Sequence, residues 1–321
     1  MKNAKIYYSV GGLLYTPGNN TDIAHALLSQ KFPLPYSLAF CLEDTVPDHL
    51  VEQAESTLLN TLGQIHTALE QSPLPLPQFF IRVRNGEQMK SFHQRAGSLA
   101  KLLTGYIASK FSMENCRGYL ETLNAINTDP KHPVFLMPIY ESASLIDPSL
   151  RIPLLLSLKE ELKALEPFIL GLRVGGNDLC HIFGLRRRAT ENIYQIRPVA
   201  DIFTDLVSVY GRDYVISGPV WEYFGGPHWQ EGLEKEMALD SLAGFTGKTL
   251  IHPNQLPVFQ ACSQVDKGDY LDAKAILSWD PKAPSLVSAD PSKTRMNEYK
   301  THFHWAQKIL YLADCFGVKE E

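Results

Sequence analysis

LRVGGNDLCHIFGLRR, residues 172–187, is the stretch around which the chain is organised. The apolar residues leading into it, 168–174, read as a buried strand. That strand runs into a double glycine, Gly175-Gly176, and then presents Asp178. Glycine lets the backbone turn tightly and lets another group approach closely. Asp178 is therefore expected at the carboxyl end of a strand, where α/β enzymes keep their chemistry. A second acid, Glu141 in MPIYES, follows an earlier apolar strand in the same way. Two carboxylates on neighbouring strand ends suit a divalent cation such as Mg²⁺, which prefers oxygen ligands and keeps waters that a substrate can displace.

Outward from this stretch, short apolar strands alternate with helical stretches about eight times. Strands are expected at 5–15, 36–42, 78–83, 105–109, 134–139, 168–174, 213–217 and 249–251, with helical stretches between them. Residues 72–77, SPLPLP, are a connector that cannot be helix interior. The strands are apolar on both faces, as buried parallel strands are. Nearly all are followed by charged or hydroxyl residues. The pattern predicts an α/β fold, a (β/α)8 TIM barrel with its active site at the carboxyl face. An open doubly wound sheet is the competing architecture, and the absence of G-x-G-x-x-G after the first strand counts against it. Beyond Pro253 no strong strand signal remains, while 270–277 and 298–316 read as helical. The expected division is a barrel domain over 1–264 and a C-terminal helical extension over 265–321.

The bulk numbers bound the function. The chain has 321 residues, 45% of them hydrophobic, and a net charge of −5 with no long charge run, which argues for a large core and against nucleic acid as a partner. Five cysteines lie at 41, 116, 180, 262 and 315, with no C-x-x-C pair, so a reducing compartment is expected. The first residues lack the apolar core of a signal peptide, and no apolar run reaches the roughly 20 residues of a membrane span. A soluble, cytoplasmic protein is the resulting expectation.

Several residues are candidates for chemistry. Arg82 lies inside an apolar strand, where an unpaired arginine is rare. Arg84 shares its strand face, because side chains alternate along a strand, and is a candidate for a second carboxylate or phosphate. Arg186-Arg187-Arg188 reads as a solvated turn. His181 reads as a hydrogen-bonded core or rim residue and His252 as a structural one. GFTGKT has its glycines, Gly244 and Gly247, only three apart, which excludes a G-x-x-x-x-G-K-[ST] phosphate loop.

Six motifs in order resemble the citrate lyase beta subunit family, also called the HpcH/HpaI aldolase and citrate-lyase-like superfamily. GFTGKTLIHPNQ, 244–255, is similar to G-F-x-G-K-x-x-I-H-P-x-Q, and LLYTPGN to L-F-V-P-G-N/x. CLEDTVP resembles D-L-E-D-A-V-P, IRVRN resembles R-V-N, IYESASL resembles the I-E-T/S segment, and GGNDL resembles G-A-E-D-L. LRVGGNDLCHIFGLRR and SGPVWEYFGG are similar to the branch of C–C bond lyases found near tellurium-resistance genes. The resemblance implies that Glu141 and Asp178 ligate Mg²⁺ and that Arg82 contacts the substrate carboxylate and the developing enolate. It implies that Glu43 and Asp44 hold metal-bound waters, and that Lys248, His252 and Gln255 belong to the rim or to structural support. It also implies a homo-oligomer, a trimer or hexamer. In acyl-CoA-using members a late Asp acts across the subunit boundary; Glu298, in Met296-Asn297-Glu298, is the nearest match. The departures are Gly11-Gly12 in place of Arg-Ser, Cys41 in place of Asp, Val51 and Glu55 in place of Lys and Arg, and Asn177 in place of Glu. Those at 11–12, 51 and 55 remove positive charge and count against binding of CoA or a thioester-linked carrier.

The expected function is a Mg²⁺-dependent carbon–carbon lyase of aldol or Claisen type, acting on a small oxo- or hydroxy-acid. The catalytic candidates are Arg82, Glu43 and Asp44, and the substrate-binding candidates are Arg82, Arg84, Pro17, Gly18 and Lys110. The general base is left open between water held by Glu43 and Asp44 and a neighbour's Glu298. The competing class is a non-catalytic barrel that keeps the metal acids and serves as a binding or assembly subunit, since fold alone decides no function.

Overall fold

Strands that are apolar on both faces must be covered on both, and the chain achieves this by closing its sheet. In the computed structural model, which describes residues 4–128, 131–290 and 293–320, the first eight strands are β1 (Gly12–Pro17), β2 (Ser37–Cys41), β3 (Gln78–Val83), β4 (Leu103–Ala108), β5 (Phe135–Tyr140), β6 (Leu172–Val174), β7 (Ile216–Ser217) and β8 (Lys248–Leu250). All neighbours pair in parallel, in the order β7-β6-β5-β4-β3-β2-β1-β8. A bridge between Gly218 and Lys248 joins the two ends, so the sheet is a barrel. Its helices are α1 (Ile23–Leu28), α2 (Val51–Gln71), α3 (Gly86–Ala96), α4 (Cys116–Ile126), α5 (Pro148–Lys163), α6 (Gly176–Ile182), α7 (Arg197–Tyr210), α8 (Trp229–Ala243) and α9 (Gln255–Ser263).

Closure creates two cores. Inward-facing Leu13, Ala39, Phe80, Ile107, Met137, Ile139 and Leu170 fill the barrel. Outward-facing Leu38, Phe40, Ile81 and Leu136 pack against the helices, including Leu58, Leu62 and Ile65 of α2. Local signals set the helix starts: the Asn85 side chain accepts from the Gln88 amide at 2.8 Å ahead of α3, and Asp147 caps α5 with Pro148 in its first turn.

Two expectations change. The strand expected at 5–15 begins only at Gly12; Lys5–Tyr7 is a 3-10 turn. Gly11, at φ +56°, turns the chain, and Ile6, Tyr7 and Val10 pack against the inner core instead of extending the sheet. No strand is expected after Pro253, yet β9 (Val287–Ala289) and β10 (Met296–Glu298) form a small antiparallel pair between α10 (Lys267–Leu277) and α11 (Tyr299–Phe316). These strands are three residues long and largely exposed, so they carry no apolar alternation to read. α11 returns to the barrel, where Tyr311 stacks on Tyr8 with ring centroids 5.2 Å apart. No helix among the described residues is long and apolar enough to cross a membrane.

Candidate active site at the carboxyl end of the barrel

The strand ends converge on a cavity of about 270 Å³ whose lining includes Asp44, Arg82, Glu141 and Asp178. Each arrives for a local reason. Glu43 and Asp44 follow β2 directly, Glu141 follows β5, and Arg82 lies in β3. Gly175 leaves β6 beside Glu141: a Cβ there would sit 2.3 Å from the Glu141 carboxylate oxygen Oε2. The double glycine thus makes room for the neighbouring acid and lets the chain turn into α6, where Asp178 lies in the first turn.

Arg82 is the hub. Its Nη2 lies 2.8 Å from Glu43 Oε2, 2.9 Å from Asp44 Oδ2 and 3.1 Å from Glu141 Oε1. Lys110 takes φ +49°. This turns its amide onto Glu141 Oε1 at 2.9 Å, while its ammonium pairs with Asp44 at 3.0 Å and with Glu43. With Arg173 also in the cavity lining, four acids share the site with three cations, and among the described residues only Arg82 and Lys110 pair directly with any of the acids. Burial pushes the Glu141 carboxyl up to about 8; the charge of Asp178 adds to this, and Arg82 only partly offsets it. Glu43 and Asp44 are driven apart. Burial raises Glu43 despite Arg82. At Asp44 burial also opposes ionisation, but a hydrogen bond from Glu43 and the charges of Arg82 and Lys110 outweigh it and lower the pKa.

Among the described residues no group of three or more His, Cys, Asp or Glu is arranged as a metal centre. The site nevertheless fits a hard divalent cation. Such an ion needs only one or two protein carboxylates, with substrate and water filling the rest. Its positive charge would offset the surplus of acids, and Glu141, ionised only with difficulty in its buried place beside Asp178, is the acid that a cation would relieve.

Other candidates lie elsewhere. Arg84 does not reach the cavity lining; it donates to Leu42 O at 2.9 Å and Glu43 O at 3.3 Å and pairs with Asp48, clamping the loop that carries Glu43 and Asp44. Pro17 and Gly18 also lie outside the lining. They end β1, with the Gly18 amide donating to Cys41 O at 2.8 Å. Glu298 belongs to β10 and does not line the cavity of its own chain. Gln255 is a latch: its Oε1 accepts from Ile251 N at 2.8 Å and its Nε2 donates to Trp221 O and Tyr223 O, both at 2.9 Å. His252 stacks on Phe224 at 4.4 Å, and His181 is exposed on α6.

Arg187 departs from the solvated turn expected of it. It is 2% exposed and joins Lys248, Glu236 and Asp240 in a buried cluster. Cavity residues that the motif reading passes over include Tyr15, Arg173 and Thr249. The signal that marks Arg82, an arginine inside an apolar strand, marks Arg173 equally.

The model of the family described as C–C bond lyase of the TIM-barrel fold matches residues 4–318. Among solved structures, CitE from Mycobacterium tuberculosis, in complex with magnesium, acetoacetate and coenzyme A, superposes with a TM-score of 0.62 at 17% identity, covering 96% of this chain and 99% of that one. The citrate lyase beta subunit from the same organism, complexed with oxaloacetate and magnesium, gives 0.53 at 16% identity over 81% of this chain and 99% of that one. RipC from Yersinia pestis gives 0.52 at 18% identity over 80% and 95%. These likenesses are of fold. No curated protein sequence matches the chain.

Proposed function

The chain belongs to the C–C bond lyase family of the TIM-barrel fold, and from that premise we propose that it is a Mg²⁺-dependent aldol- or Claisen-type lyase of a small oxo- or hydroxy-acid. One observation carries the proposal. Asp44, Glu141 and Asp178 converge with Arg82 on one cavity, with Glu141 pushed up to about 8 by burial. The magnesium complexes of structurally similar CitE proteins support it. Glu141 and Asp178 would hold the ion. When bound there it supplies Lewis-acid stabilisation of the negative charge that carbon–carbon cleavage leaves beside a carbonyl.

The remaining chemistry is the chain's own. Arg82 is largely buried, lines the cavity and is positioned to donate to the substrate carboxylate and the developing enolate. Asp44, held ionised, is placed to take the hydroxyl proton. Glu43 lies outside the cavity lining and holds Arg82 at 2.8 Å, so the proton that Asp44 gains is the one available to return to the enolate carbon. Lys110 keeps both acids oriented through its contacts to them. Loss of positive charge at Gly11-Gly12, Val51 and Glu55 favours a free acid over a CoA thioester.

Exposed apolar residues along α5 and just before it, Ile146, Leu150, Ile152 and Leu156, support a homo-oligomer, which light scattering would test. Five free cysteines support a cytoplasmic setting.

A thermal-shift and turnover panel of pyruvate, glyoxylate, oxaloacetate and acetyl-CoA, with Mg²⁺ or EDTA, tests the function. A 2-oxo acid is expected to raise the melting temperature only with Mg²⁺ and only when Asp178 is intact. Silence of every acid and of Mg²⁺ itself, in wild type and Asp178→Ala alike, would move the protein to the non-catalytic class.

A further inference from the structure

Arg173 is the one cation of the cavity without a carboxylate partner among the described residues. It sits in β6, is 2% exposed and lines the same cavity as Glu141 and Asp178. Its Nη2 donates to Thr249 Oγ1 at 2.6 Å, and the Tyr15 hydroxyl is its other partner. Nη1 is buried and has no partner. A buried guanidinium facing only hydroxyls is costly, because removal of a charge from water is offset only by an opposite charge with good geometry. A purely structural arginine would have that partner, as Arg187 has in Glu236. A second cavity, about 10 Å³, adjoins Arg173 and Ser217. It has room for about one water, which would satisfy hydrogen bonds but not charge.

Its position is informative. The Gly175 amide bonds to Tyr140 O at 3.1 Å, which sets Gly175 level with the carboxylates at the rim. Arg173 pairs with Ile139, two residues deeper, which is about 7 Å along the strand. Between rim and floor the wall is formed by Ile139, Val174 and Ile251, with Tyr15 in electrostatic reach of both Arg82 and Arg173. Two anion anchors separated by an apolar wall match a short carbon chain with an acid at each end. Arg84, the sequence candidate for a second carboxylate, is already engaged by the Glu43–Asp48 loop.

Building on the lyase reading above, we infer that Arg173 binds the distal carboxylate of the substrate, so that the enzyme acts on a dicarboxylic oxo- or hydroxy-acid and discriminates against monoacids. The metal acids and Arg82 take the reacting end, and Arg173 with Thr249 takes the other. Arg173 is thus a specificity-determining residue.

Calorimetric titration of the full chain with Mg²⁺ tests this using two ligand pairs, pyruvate with oxaloacetate and 2-oxobutyrate with 2-oxoglutarate. Each pair differs by one carboxylate. In at least one pair the diacid is expected to bind roughly ten- to a hundredfold tighter than its monoacid. Arg173→Met is expected to erase that preference while leaving monoacid binding unchanged, and Arg173→Lys to retain part of it. Without ligand, Arg173→Met should melt higher than wild type, because an uncompensated buried charge is gone. Mg²⁺-dependent monoacid binding with no diacid preference, or equal weakening of both acids by Arg173→Met, would overturn the inference and leave the lyase reading standing. Failure of every acid to bind wild type would overturn both. If Arg173→Met does not fold, Arg173→Lys decides: a diacid preference reduced but kept, with monoacid binding intact, supports the assignment, and loss of monoacid and diacid binding together refutes it.

Discussion

Two clusters of buried charge lie on opposite sides of the barrel wall, and they are built from the same residue types. Behind the seam between β7 and β8, Lys248 Nζ meets Glu236 at 3.0 Å and Asp240 at 2.6 Å, and Arg187 Nε meets Glu236 at 3.2 Å. Tyr194 donates to Asp240 at 2.6 Å. Two acids face two bases there, and a Cβ on Gly218 would fall 2.8 Å from Asp240, so the cluster is sealed. At the mouth, Glu43, Asp44 and Glu141 pair with Arg82 and Lys110, Asp178 has no cation paired with it among the described residues, and Arg173 lies deeper in the cavity that opens beside them. The sealed cluster holds the place where the barrel closes. The open one keeps a deficit of positive charge, and that deficit draws in a cation, through which an acid substrate can then be held. Balance of charge, more than burial or residue type, separates the sealed cluster from the open one.

That contrast can be broken experimentally. The largest effect is expected at the seam. Lys248→Met leaves Glu236 and Asp240 facing a single cation, and should cost about 3–5 kcal/mol in urea denaturation; a cost below about 1 kcal/mol would show that the seam cluster does not hold the barrel closed. At the mouth the order of effects reverses. Arg82→Lys should leave the denaturation midpoint nearly unchanged while turnover falls about 10²–10³-fold, the usual loss when a preorganised donor to developing charge is removed. Full turnover by this variant would exclude Arg82 from the chemistry.

A third test reads the deficit directly. Glu141 has its pKa raised from 4.5 to about 8. The folded state therefore holds a proton that the unfolded state has lost between those values, and stability of the metal-free protein falls as pH rises from 4.5 to 8. In EDTA, Glu141→Gln should flatten that part of the melting-temperature profile, and Mg²⁺ should restore nothing in it. A variant that keeps the wild-type slope would mean that another group carries the deficit.

The smallest effect belongs to a group outside both clusters. His93 bonds to the Tyr106 hydroxyl at 3.1 Å, and burial lowers its pKa below 6.5. Its neutral form is the native one, so stability is complete above pH 6.5 and declines as pH falls toward the lowered value. His93→Asn should shallow the acid limb slightly; an unchanged limb would assign it to the carboxylates.

Much of the mouth is legible in the sequence because barrel topology converts a linear rule into a place. A residue at the carboxyl end of an apolar strand arrives at one face, so Glu43, Asp44, Lys110, Glu141 and Asp178 can be named before their distances are known. Arg84 shows where the rule stops. Strand alternation puts it on the face of Arg82, but the strand ends at Val83, and the next residue turns away to hold the Glu43–Asp48 loop. Arg187 is hidden for a different reason, since three successive arginines look like a solvated turn when the acid that buries the middle one, Glu236, is 49 residues away. The β9–β10 pair is unreadable because its three-residue strands are largely exposed and the residue β10 buries, Asn297, is polar.

By itself, the sequence determined the alternation of strand and helix, the closed class of fold and which acids reach the carboxyl end. These follow from periodicity and from short-range turn chemistry, which act within a few residues. Only the tertiary structure decided which buried charges are matched. It paired Lys248 with Glu236 and Asp240, diverted Arg84 to a loop, and left Arg173 facing the cavity with hydroxyls alone. Charge compensation depends on through-space distance between strands far apart in the chain, and no local pattern encodes it.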